Sequence, residues 1–533
     1  MRKTLSIILV ILSFAQYSVG QKKEGSKIPP KDWFLADPTK DKLLGTSTEK
    51  AYNTILKDKK SQTVTVAVID TGVDIHHEDL KDFIWTNEDE IPNNGIDDDN
   101  NGYVDDIHGW NFIGGPEEDI YYELYEYARI YRNLRKVFED NNSTIDTLNN
   151  PEYELYKKTK HLCETEFQEA ERNYNYFDII IHNQKVYSTI LKRQLGKDSL
   201  TLADVKKITP NDSITFRAKE FLLLINKYYN TIYNEFQETL DYYQDKLYNL
   251  DIDADYRSVV NDDPSDPTET GYGNNNIIGP DPDHGTHVSG IIAANRKNDL
   301  GIKGIADNIL IMPIRAIPEG DEYDKDVANA IRYAVDNGAE IINMSFGKEY
   351  SPNKFAVDDA ARYAESKGVL IVHGAGNENM NIDSVTHYPT RILNDGNEIS
   401  TWIEVGASAA YDDKNFASDF SNFGKKSVDV FAPGVEIHST VPGDKYDNHD
   451  GTSMAAPMVT GLAALLKSYY PEFTASQIKE IILKSAKDYS SMKVYIPDTK
   501  EVILFGELSK TGGLINVYEA VKMAESLIIK SDK

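Results

Sequence analysis

Thr63-Val64-Thr65-Val66-Ala67-Val68-Ile69 is a run of β-branched and apolar residues that ends at a carboxylate, Asp70. A run without polar alternation predicts a strand buried on both faces, as in a parallel sheet covered by helices. Further along the chain, strand-like and helix-like runs alternate; the strand-like ones are 309–315, 340–344 and 369–372, and the helix-like ones are 327–335 and 355–367. This order predicts an α/β fold in three layers, with a mostly parallel central sheet flanked by helices.

Residues 116–270 differ in composition from the segments on either side. They contain one glycine, Gly196, although the chain of 533 residues has 33. Apolar residues recur there every three or four positions, as on one face of a helix. These stripes run from Ile120 to Phe138, from Leu155 to Leu195, and from Ile214 through Ile232 to Leu247. We interpret the segment as an all-α hairpin or bundle inserted into the α/β domain, with the last stripe on one long helix.

The N-terminus has the pattern of an export signal. Arg2 and Lys3 precede an apolar run, Leu5 to Phe14, and Ser18-Val19-Gly20 offers small residues for cleavage. The alternative is a membrane anchor, but the run is too short to span about 30 Å of hydrocarbon. We therefore expect a secreted or periplasmic protein with no transmembrane segment after signal cleavage.

These patterns predict the division of the chain. The expected parts are a signal peptide at 1–20, an N-terminal extension at 21–60, one α/β domain formed by 61–115 and 271–525, and the helical insertion at 116–270.

The amino-acid composition limits the kinds of binding partner that the protein is expected to have. Hydrophobic residues make up 40% of the chain, enough for a sizeable core, and the formal net charge is −29. An acidic surface repels phosphate, so we expect no nucleic-acid partner. With one cysteine, Cys163, the protein has no internal disulfide, and bound metal is the obvious candidate for stiffening its loops. We expect Cys163 itself to be a packing residue.

Three short segments together suit nucleophilic catalysis. They are Asp70-Thr71-Gly72 at the end of the predicted strand, His284-Gly285-Thr286-His287 at the start of a helix, and Gly451-Thr452-Ser453 before an apolar helix. A serine hydroxyl is a weak nucleophile until a base, usually histidine, removes its proton. A buried carboxylate then orients the imidazole. The segments therefore indicate Asp70, His284 and Ser453 as candidate catalytic residues.

A fourth segment, Gly374-Ala375-Gly376-Asn377, follows another strand-like run. Its glycines allow a substrate backbone to come close, and the Asn377 amide can donate to a developing oxyanion. The four segments, in this order, resemble those of the subtilisin family of serine peptidases. The resemblance covers residues 61–115 and 271–525. It implies hydrolysis of protein or peptide substrates through an Asp70–His284–Ser453 triad and a Ser453 acyl-enzyme, with Asn377 in the oxyanion hole and no catalytic metal.

The resemblance also implies where substrate binds. Ser345-Phe346-Gly347 matches the family's substrate-binding strand, and with Gly376 it would line the bound peptide; the alternative is an ordinary interior strand and turn. Glu378, beside Asn377, raises the alternative of a preference for basic substrate side chains. A zinc pair formed by His284 and His287 is disfavoured, because no H-E-x-x-H motif is present.

An acidic loop, Asp97-Asp98-Asp99-Asn100-Asn101-Gly102-Tyr103-Val104-Asp105, resembles an EF-hand-type calcium loop. Oxygen ligands are expected from several of its residues and from the one that follows it. The predicted ligands are Asp97, Asp99, Asn101, the Tyr103 carbonyl, Asp105 and Asp106. The alternative is an acidic solvated turn. By resemblance to the family, Asp79 and Asn298 are candidate ligands of a second structural Ca²⁺.

Two rival functions remain at this stage. One is a catalytically silent, Ca²⁺-stabilised binding or adhesion module that kept the fold. The intact set of four catalytic segments argues against it, because a silent descendant has no physical reason to keep them all. The other is a processing peptidase of narrow specificity.

Overall fold

The computed structural model describes residues 28–139, 149–229 and 236–531. They fall into two compact units, one comprising Tyr127–Ala254 and the other comprising Ile28–Glu126 with Asp255–Lys533. The predicted signal peptide at 1–20 lies outside the described residues. None of the helices in the described ranges is long and apolar enough to cross a bilayer.

The larger unit is built on a nine-stranded sheet. Its strands are β1 (Val64–Asp70), β2 (Trp110–Asn111), β3 (Ile309–Arg315), β4 (Ile341–Met344), β5 (Leu370–Gly374), β6 (Trp402–Ser408), β7 (Val430–Pro433), β10 (Lys487–Asp488) and β13 (Gly513–Leu514). Their order is β10-β13-β7-β6-β5-β4-β1-β3-β2, and every pair is parallel except β10 with β13. Two small hairpins complete the strands, β8 (Ile437–Val441) with β9 (Lys445–His449) and β11 (Lys493–Tyr495) with β12 (Val502–Leu504).

Helices cover both faces of this sheet, which confirms the predicted α/β class. The helices of this unit are α1 (Pro38–Asp41), α2 (Thr48–Asn53), α8 (Asp283–Ala293), α9 (Asp324–Asp336), α10 (Lys354–Ser366), α11 (Thr452–Tyr469), α12 (Ala475–Ser485) and α13 (Val517–Ser531). Strand β1 explains the arrangement, because Val64, Val66 and Val68 pack with α8 and α11 in one core. Ala67 and Ile69, on the other face, pack with α9 and α10 in a second core. The apolar residues of β1 are thus buried on both faces of the sheet.

The N-terminal extension contributes to the core of the larger unit. Trp33, Phe34 and Leu35 are buried in the same cluster as Val288 of α8. The polar composition of the segment gives no hint of this packing, which also buries Ala51 and Leu56 in the same cluster.

The helical residues between the Asp70 and His284 segments form α3 (Glu126–Phe138), α4 (Pro151–Leu195), α5 (Leu202–Lys207), α6 (Ser213–Tyr229) and α7 (Gln237–Asn249). The Asn150 side chain caps α4 by accepting hydrogen bonds from the first turn, and Gly196 ends that helix at φ 61°. Apolar residues of α4 pack against α6 and α7. The first stripe becomes helical only at Glu126, because residues before it form β-bridges. The last stripe, predicted to lie on one long helix, runs along two helices in the described residues, α6 and α7. Ile232 lies outside the described residues.

Cys163 is a buried residue of α4. Burial, followed by the nearby charges of Glu164 and Glu166, raises the pKa of its thiol to about 12. The thiol is therefore protonated at neutral pH, as suits a packing residue.

Candidate active site

Asp70, at the C-terminal end of β1, and His284, at the start of α8, lie close together. The Nδ1 of His284 lies 2.6 Å from Oδ1 of Asp70, which also accepts a hydrogen bond from the Thr71 N–H. The Asp70 side chain is 2% exposed and that of His284 is 34% exposed. The approach needs glycine at 285, because a Cβ there would lie 2.1 Å from the Gly72 carbonyl oxygen. The carboxylate is thus fixed in the sheet while the imidazole keeps an open edge.

The electrostatics of His284 favour a base held in one tautomer. Burial lowers its pKa, but the charge of Asp70 and the hydrogen bond to it raise the pKa above the usual 6.5. Because Nδ1–H donates to the carboxylate, Nε2 carries the lone pair of the neutral ring. That nitrogen is the one available to accept a proton from another group.

Ser453 is the second residue of α11, which packs directly against α8. Its hydroxyl donates to the Ser345 carbonyl oxygen at 3.1 Å, and the Ser345 hydroxyl donates back to the Ser453 carbonyl oxygen at 3.0 Å. Among the described residues Ser453 makes no hydrogen bond to His284. Catalytic hydrogen bonds often form only when substrate is bound, so a rotation of the Ser453 side chain would be needed to complete the predicted triad.

Asn377 lies beside the same helix start. Its Oδ1 accepts hydrogen bonds from the N–H and the hydroxyl of Thr452, at 2.9 and 3.0 Å, which turns the Nδ2 donor outward. A Cβ on Gly451 would lie 3.6 Å from that Nδ2 and 3.5 Å from the Ser453 nitrogen. The Ser453 and Asn377 nitrogens therefore border the same space, which stays open because residue 451 has no side chain. A helix N-terminus adds positive potential there.

The sequence matches the family model described as the subtilase family over residues 61–501. This chain is a subtilase. The long helical segment between its Asp70 and His284 motifs is an insertion within that family's domain.

Three curated bacterial proteins are similar to this subtilase. It is 46% identical over 186 residues to the thermophilic serine proteinase of Bacillus sp. (strain AK1), covering 35% of this chain and 42% of that protein. It is 35% identical over 213 residues to the thermostable alkaline protease of Halalkalibacterium halodurans, covering 40% of this chain and 54% of that protein. It is 35% identical over 214 residues to subtilisin BL of Lederbergia lenta, covering 40% and 73%. The chain thus spans about half the length of the first two.

A solved structure titled proteases from Pseudoalteromonas arctica is also similar in sequence. It is 28% identical to this subtilase, covers 45% of this chain and 70% of that chain, and superposes with a TM-score of 0.36.

The predicted substrate-binding residues line one cavity with the candidate nucleophile. Ser345, Phe346, Gly347 and Gly376 border a space of about 220 Å³ that also reaches Ser453 and Asn377. Ser345 to Gly347 follow directly on β4, and Lys348 pairs in antiparallel fashion with Tyr388. The four predicted residues therefore meet at one place, although they come from two separate segments.

Sequence reasoning missed a buried ion pair behind this cavity. His373, the fourth residue of β5, has Nδ1 at 2.7 Å from Oε1 of Glu404 and Nε2 at 2.8 Å from the Phe346 carbonyl oxygen. The Trp402 indole donates to the other oxygen of Glu404. Both partners of the ring accept hydrogen bonds, so both ring nitrogens carry protons and His373 is a cation. A histidine and a glutamate in strands that are otherwise apolar were the available signal.

His373 thereby fixes the segment that borders the substrate cavity. Burial lowers its pKa, but the charge and hydrogen bond of Glu404 raise it above 6.5. Because the pKa of His373 is higher in the folded than in the unfolded protein, protonation of this ring adds to the free energy of unfolding. The contribution is complete below about pH 6.5 and is lost as the pH rises through the folded-state pKa.

We expect His373→Gln to lower the free energy of unfolding by about 3–5 kcal/mol, because it leaves Glu404 buried without its cation. Urea unfolding in a Ser453→Ala background, which prevents self-cleavage, measures the change. In the double variant His373→Gln/Glu404→Gln, the free energy of unfolding should fall by less than the sum of the losses in the two single variants. Additive losses would contradict a coupled pair.

The acidic loop is arranged differently from the predicted calcium set. The Asp97 carboxylate accepts the N–H groups of Asn101 and Gly102, and the Asp105 carboxylate accepts those of Asn94 and Gly95. These two predicted ligands act as caps of backbone turns, and in this arrangement they do not join the carboxylate cluster described next.

Three carboxylates do meet in this loop: Glu90, Asp99 and Asp106 have oxygens within 4.8 Å of one another. The side-chain amides of Asn87 and Asn101 bridge Asp99 and Asp106. Burial raises the pKa of Asp106, partly offset by hydrogen bonds from Tyr333, Asn87 and Asn101. Crowded carboxylates of this kind fit a hard cation such as Ca²⁺. Glu90 was missed, because it lies outside the DxDxN spacing.

Of the second predicted calcium pair, Asp79 and Asn298 are in direct contact. The Asn298 amide nitrogen donates to one Asp79 oxygen, and the Tyr446 hydroxyl donates to the other at 3.0 Å. Both carboxylate oxygens thus already accept protein hydrogen bonds, and the Asn298 oxygen accepts the Leu300 N–H. The contact brings the two predicted ligands together, and their binding of a second Ca²⁺ stays a prediction.

Proposed function

We propose that this subtilase is an exported serine endopeptidase that hydrolyses peptide bonds through Asp70, His284, Ser453 and Asn377. The observation that carries the proposal is that the Ser453 nitrogen and the Asn377 amide nitrogen border one open space, in a chain that also holds the His284 imidazole on the Asp70 carboxylate. Family membership and the protease names of its relatives support it.

The chemistry follows from the groups at that space. The Ser453 oxygen attacks the substrate carbonyl carbon while its proton passes to Nε2 of His284. The two N–H donors stabilise the negative charge that develops on the carbonyl oxygen. The imidazolium then gives its proton to the leaving amine as the C–N bond breaks. Water, deprotonated by the same imidazole, attacks the acyl-enzyme and releases Ser453.

The other parts of the proposal concern location and stability. The pattern at residues 1–20 supports export. The carboxylates of Glu90, Asp99 and Asp106 are the residues that would hold a Ca²⁺ ion. Bound there, the ion would supply a positive charge that neutralises the cluster and ties the loop together; it takes no part in bond cleavage.

A fluorophosphonate serine probe tests the proposed function. We expect covalent labelling of the wild-type protein and none of Ser453→Ala, with cleavage of a denatured protein substrate by the wild type only. A silent binding module, the rival hypothesis, predicts that neither protein is labelled or active. Equal labelling of both proteins would place the nucleophile at another residue.

Calcium is expected to stabilise the protein. In the Ser453→Ala background, free Ca²⁺ at about 100 times its Kd should add about 2.7 kcal/mol, seen as a rise of the thermal midpoint that EGTA reverses. Asp106→Asn should remove the response. Asp98→Asn is the matched control, since its carboxylate accepts Ile91 N–H and the Asn94 amide, outside the cluster. A midpoint insensitive to Ca²⁺ would refute the site.

A further inference from the structure

One part of the helical insertion is basic, although the protein as a whole is acidic. Residues 192–219, which comprise the last residues of α4, all of α5 and the first residues of α6, hold seven lysines and arginines but three acidic residues. Their net charge is +4, against −29 for the whole chain. We call this segment the basic tip. A surface whose charge is opposite to that of its own protein favours an anionic partner.

The three helical pieces of the basic tip pack together. The Gln194 side chain, near the end of α4, donates to the Thr209 carbonyl oxygen at 3.2 Å. Leu191 of α4, Val205 of α5 and Ala218 of α6 are buried in one apolar cluster. Because this small core fixes the three helices, the charged side chains around it belong to one compact surface and can act together on a single partner.

Much of the positive charge of the basic tip is not neutralised within the protein. Lys197 pairs with Asp204, and the Asp212 carboxylate accepts the Ile214 and Thr215 N–H groups. Four basic residues are exposed and form no ion pair with the described residues: Arg193, Lys206, Lys207 and Arg217. These side chains are available to the anionic groups of a partner.

Large apolar side chains are exposed among these charges. Ile214 and Phe216, both in the first turn of α6, are each 55% exposed, and Leu195, the last residue of α4, is 36% exposed. A partner that supplies only negative charge, such as nucleic acid, leaves these side chains in water. The surface of an anionic bilayer supplies both phosphates for the cations and an apolar boundary for the apolar side chains. The basic tip therefore fits a lipid surface better than it fits a soluble polyanion.

We propose that the basic tip binds the surface of bilayers that contain anionic lipids. Ile214, Phe216 and Leu195 enter the headgroup region, and the four cations named above contact lipid phosphates. The inference is independent of the proposed peptidase function, since it concerns where the protein is held and uses none of the residues around Ser453.

Co-sedimentation with lipid vesicles tests the inference. The protein is Ser453→Ala in its exported form, without the predicted signal peptide at 1–20, so that neither self-cleavage nor the apolar run at 5–14 affects the result. We expect binding to vesicles of phosphatidylcholine mixed with phosphatidylglycerol to be about tenfold or more tighter than binding to phosphatidylcholine alone. Added NaCl should weaken the binding, because exposed charges are screened.

Two double variants separate the charged from the apolar contribution. Lys206→Glu/Lys207→Glu should lower binding to the mixed vesicles about tenfold or more. Ile214→Ser/Phe216→Ser should lower it even at low salt, where the attraction between charges is strongest. Lys57→Glu/Lys60→Glu is the matched control, because it changes the net charge equally at two exposed lysines outside the tip, and it should bind like the parent protein.

A probe on the tip keeps the test decisive if a double variant does not fold. Cys163 is buried, so an environment-sensitive thiol dye on Phe216→Cys reports from the tip alone. Its emission should shift to the blue with the mixed vesicles, and that of the same dye on Lys57→Cys should not.

Several results would overturn the inference. They are equal binding to both kinds of vesicle, an unshifted dye on Phe216→Cys, an equal loss of binding in the control variant, and binding of duplex DNA that the mixed vesicles do not displace. Fluorophosphonate labelling of the wild-type protein is unaffected by any of them, so a failure of this inference is distinct from a failure of the proposed function.

Discussion

Asp70→Asn is expected to lower kcat by about 10⁴-fold with little change in KM. The carboxylate accepts the Nδ1–H of His284 at 2.6 Å, which keeps the proton off Nε2. An asparagine can instead donate to Nδ1, so that the proton moves to Nε2 and the ring can no longer act as a base. The loss of charge adds to this, because an imidazolium beside a neutral amide is less stable.

The pH profile distinguishes this role from a structural one. The base must be neutral to accept a proton, so wild-type kcat/KM should rise with pH through the His284 pKa, which lies above 6.5. Removing the Asp70 charge lowers that pKa, so the acid limb of Asp70→Asn should shift to lower pH. Asp74→Asn, with a carboxylate that accepts the His76 and Gly443 N–H groups, is the control and should leave the limb in place. An unchanged limb in Asp70→Asn would contradict the assignment.

Asn377→Ala is expected to reduce kcat by about 10²–10³-fold, equivalent to about 2.7–4 kcal/mol of transition-state stabilisation. The Nδ2 donor is aimed at the open space because the Asn377 oxygen accepts two hydrogen bonds from Thr452. The negative charge on that site exists only after attack by Ser453, so KM should change less than threefold or so.

Two measurements guard this prediction. The thermal midpoint of Asn377→Ala should stay close to that of the wild type, since the residue is exposed. Asn397→Ala removes an exposed amide that donates to Asp395, and it serves as the matched control. A large rise in KM with an unaltered kcat would show that Asn377 binds the ground state, which contradicts an oxyanion role.

The parallel sheet and its helices could be predicted because the information is local. A buried strand such as β1 has no polar alternation, and the helices α9 and α10 have apolar residues at the spacing of one helical face. The start of α3 was predicted too early, because the chain before Glu126 is not helical: Tyr122 forms a β-bridge with the distant Glu319. Spacing alone does not reveal such pairing.

In the acidic loop, the direction of individual side chains could not be predicted from the sequence. The DxDxN pattern indicated a cation loop, and Asp99 lies in the carboxylate cluster, but the cluster is completed by Glu90 and Asp106 and does not include Asp97 or Asp105. Side-chain direction depends on local φ and ψ and on the competing donors nearby, which the order of residues leaves open.

By itself the sequence determined the fold class and named the four residues expected to carry the chemistry, because strand periodicity and short glycine-containing motifs are local properties. Only the tertiary structure decided that His373 is held between Glu404 and the Phe346 carbonyl oxygen, and that Glu90 joins Asp99 and Asp106. Charge states and recognition depend on which groups meet after folding and on how deeply they are buried, and these contacts join segments far apart in the chain.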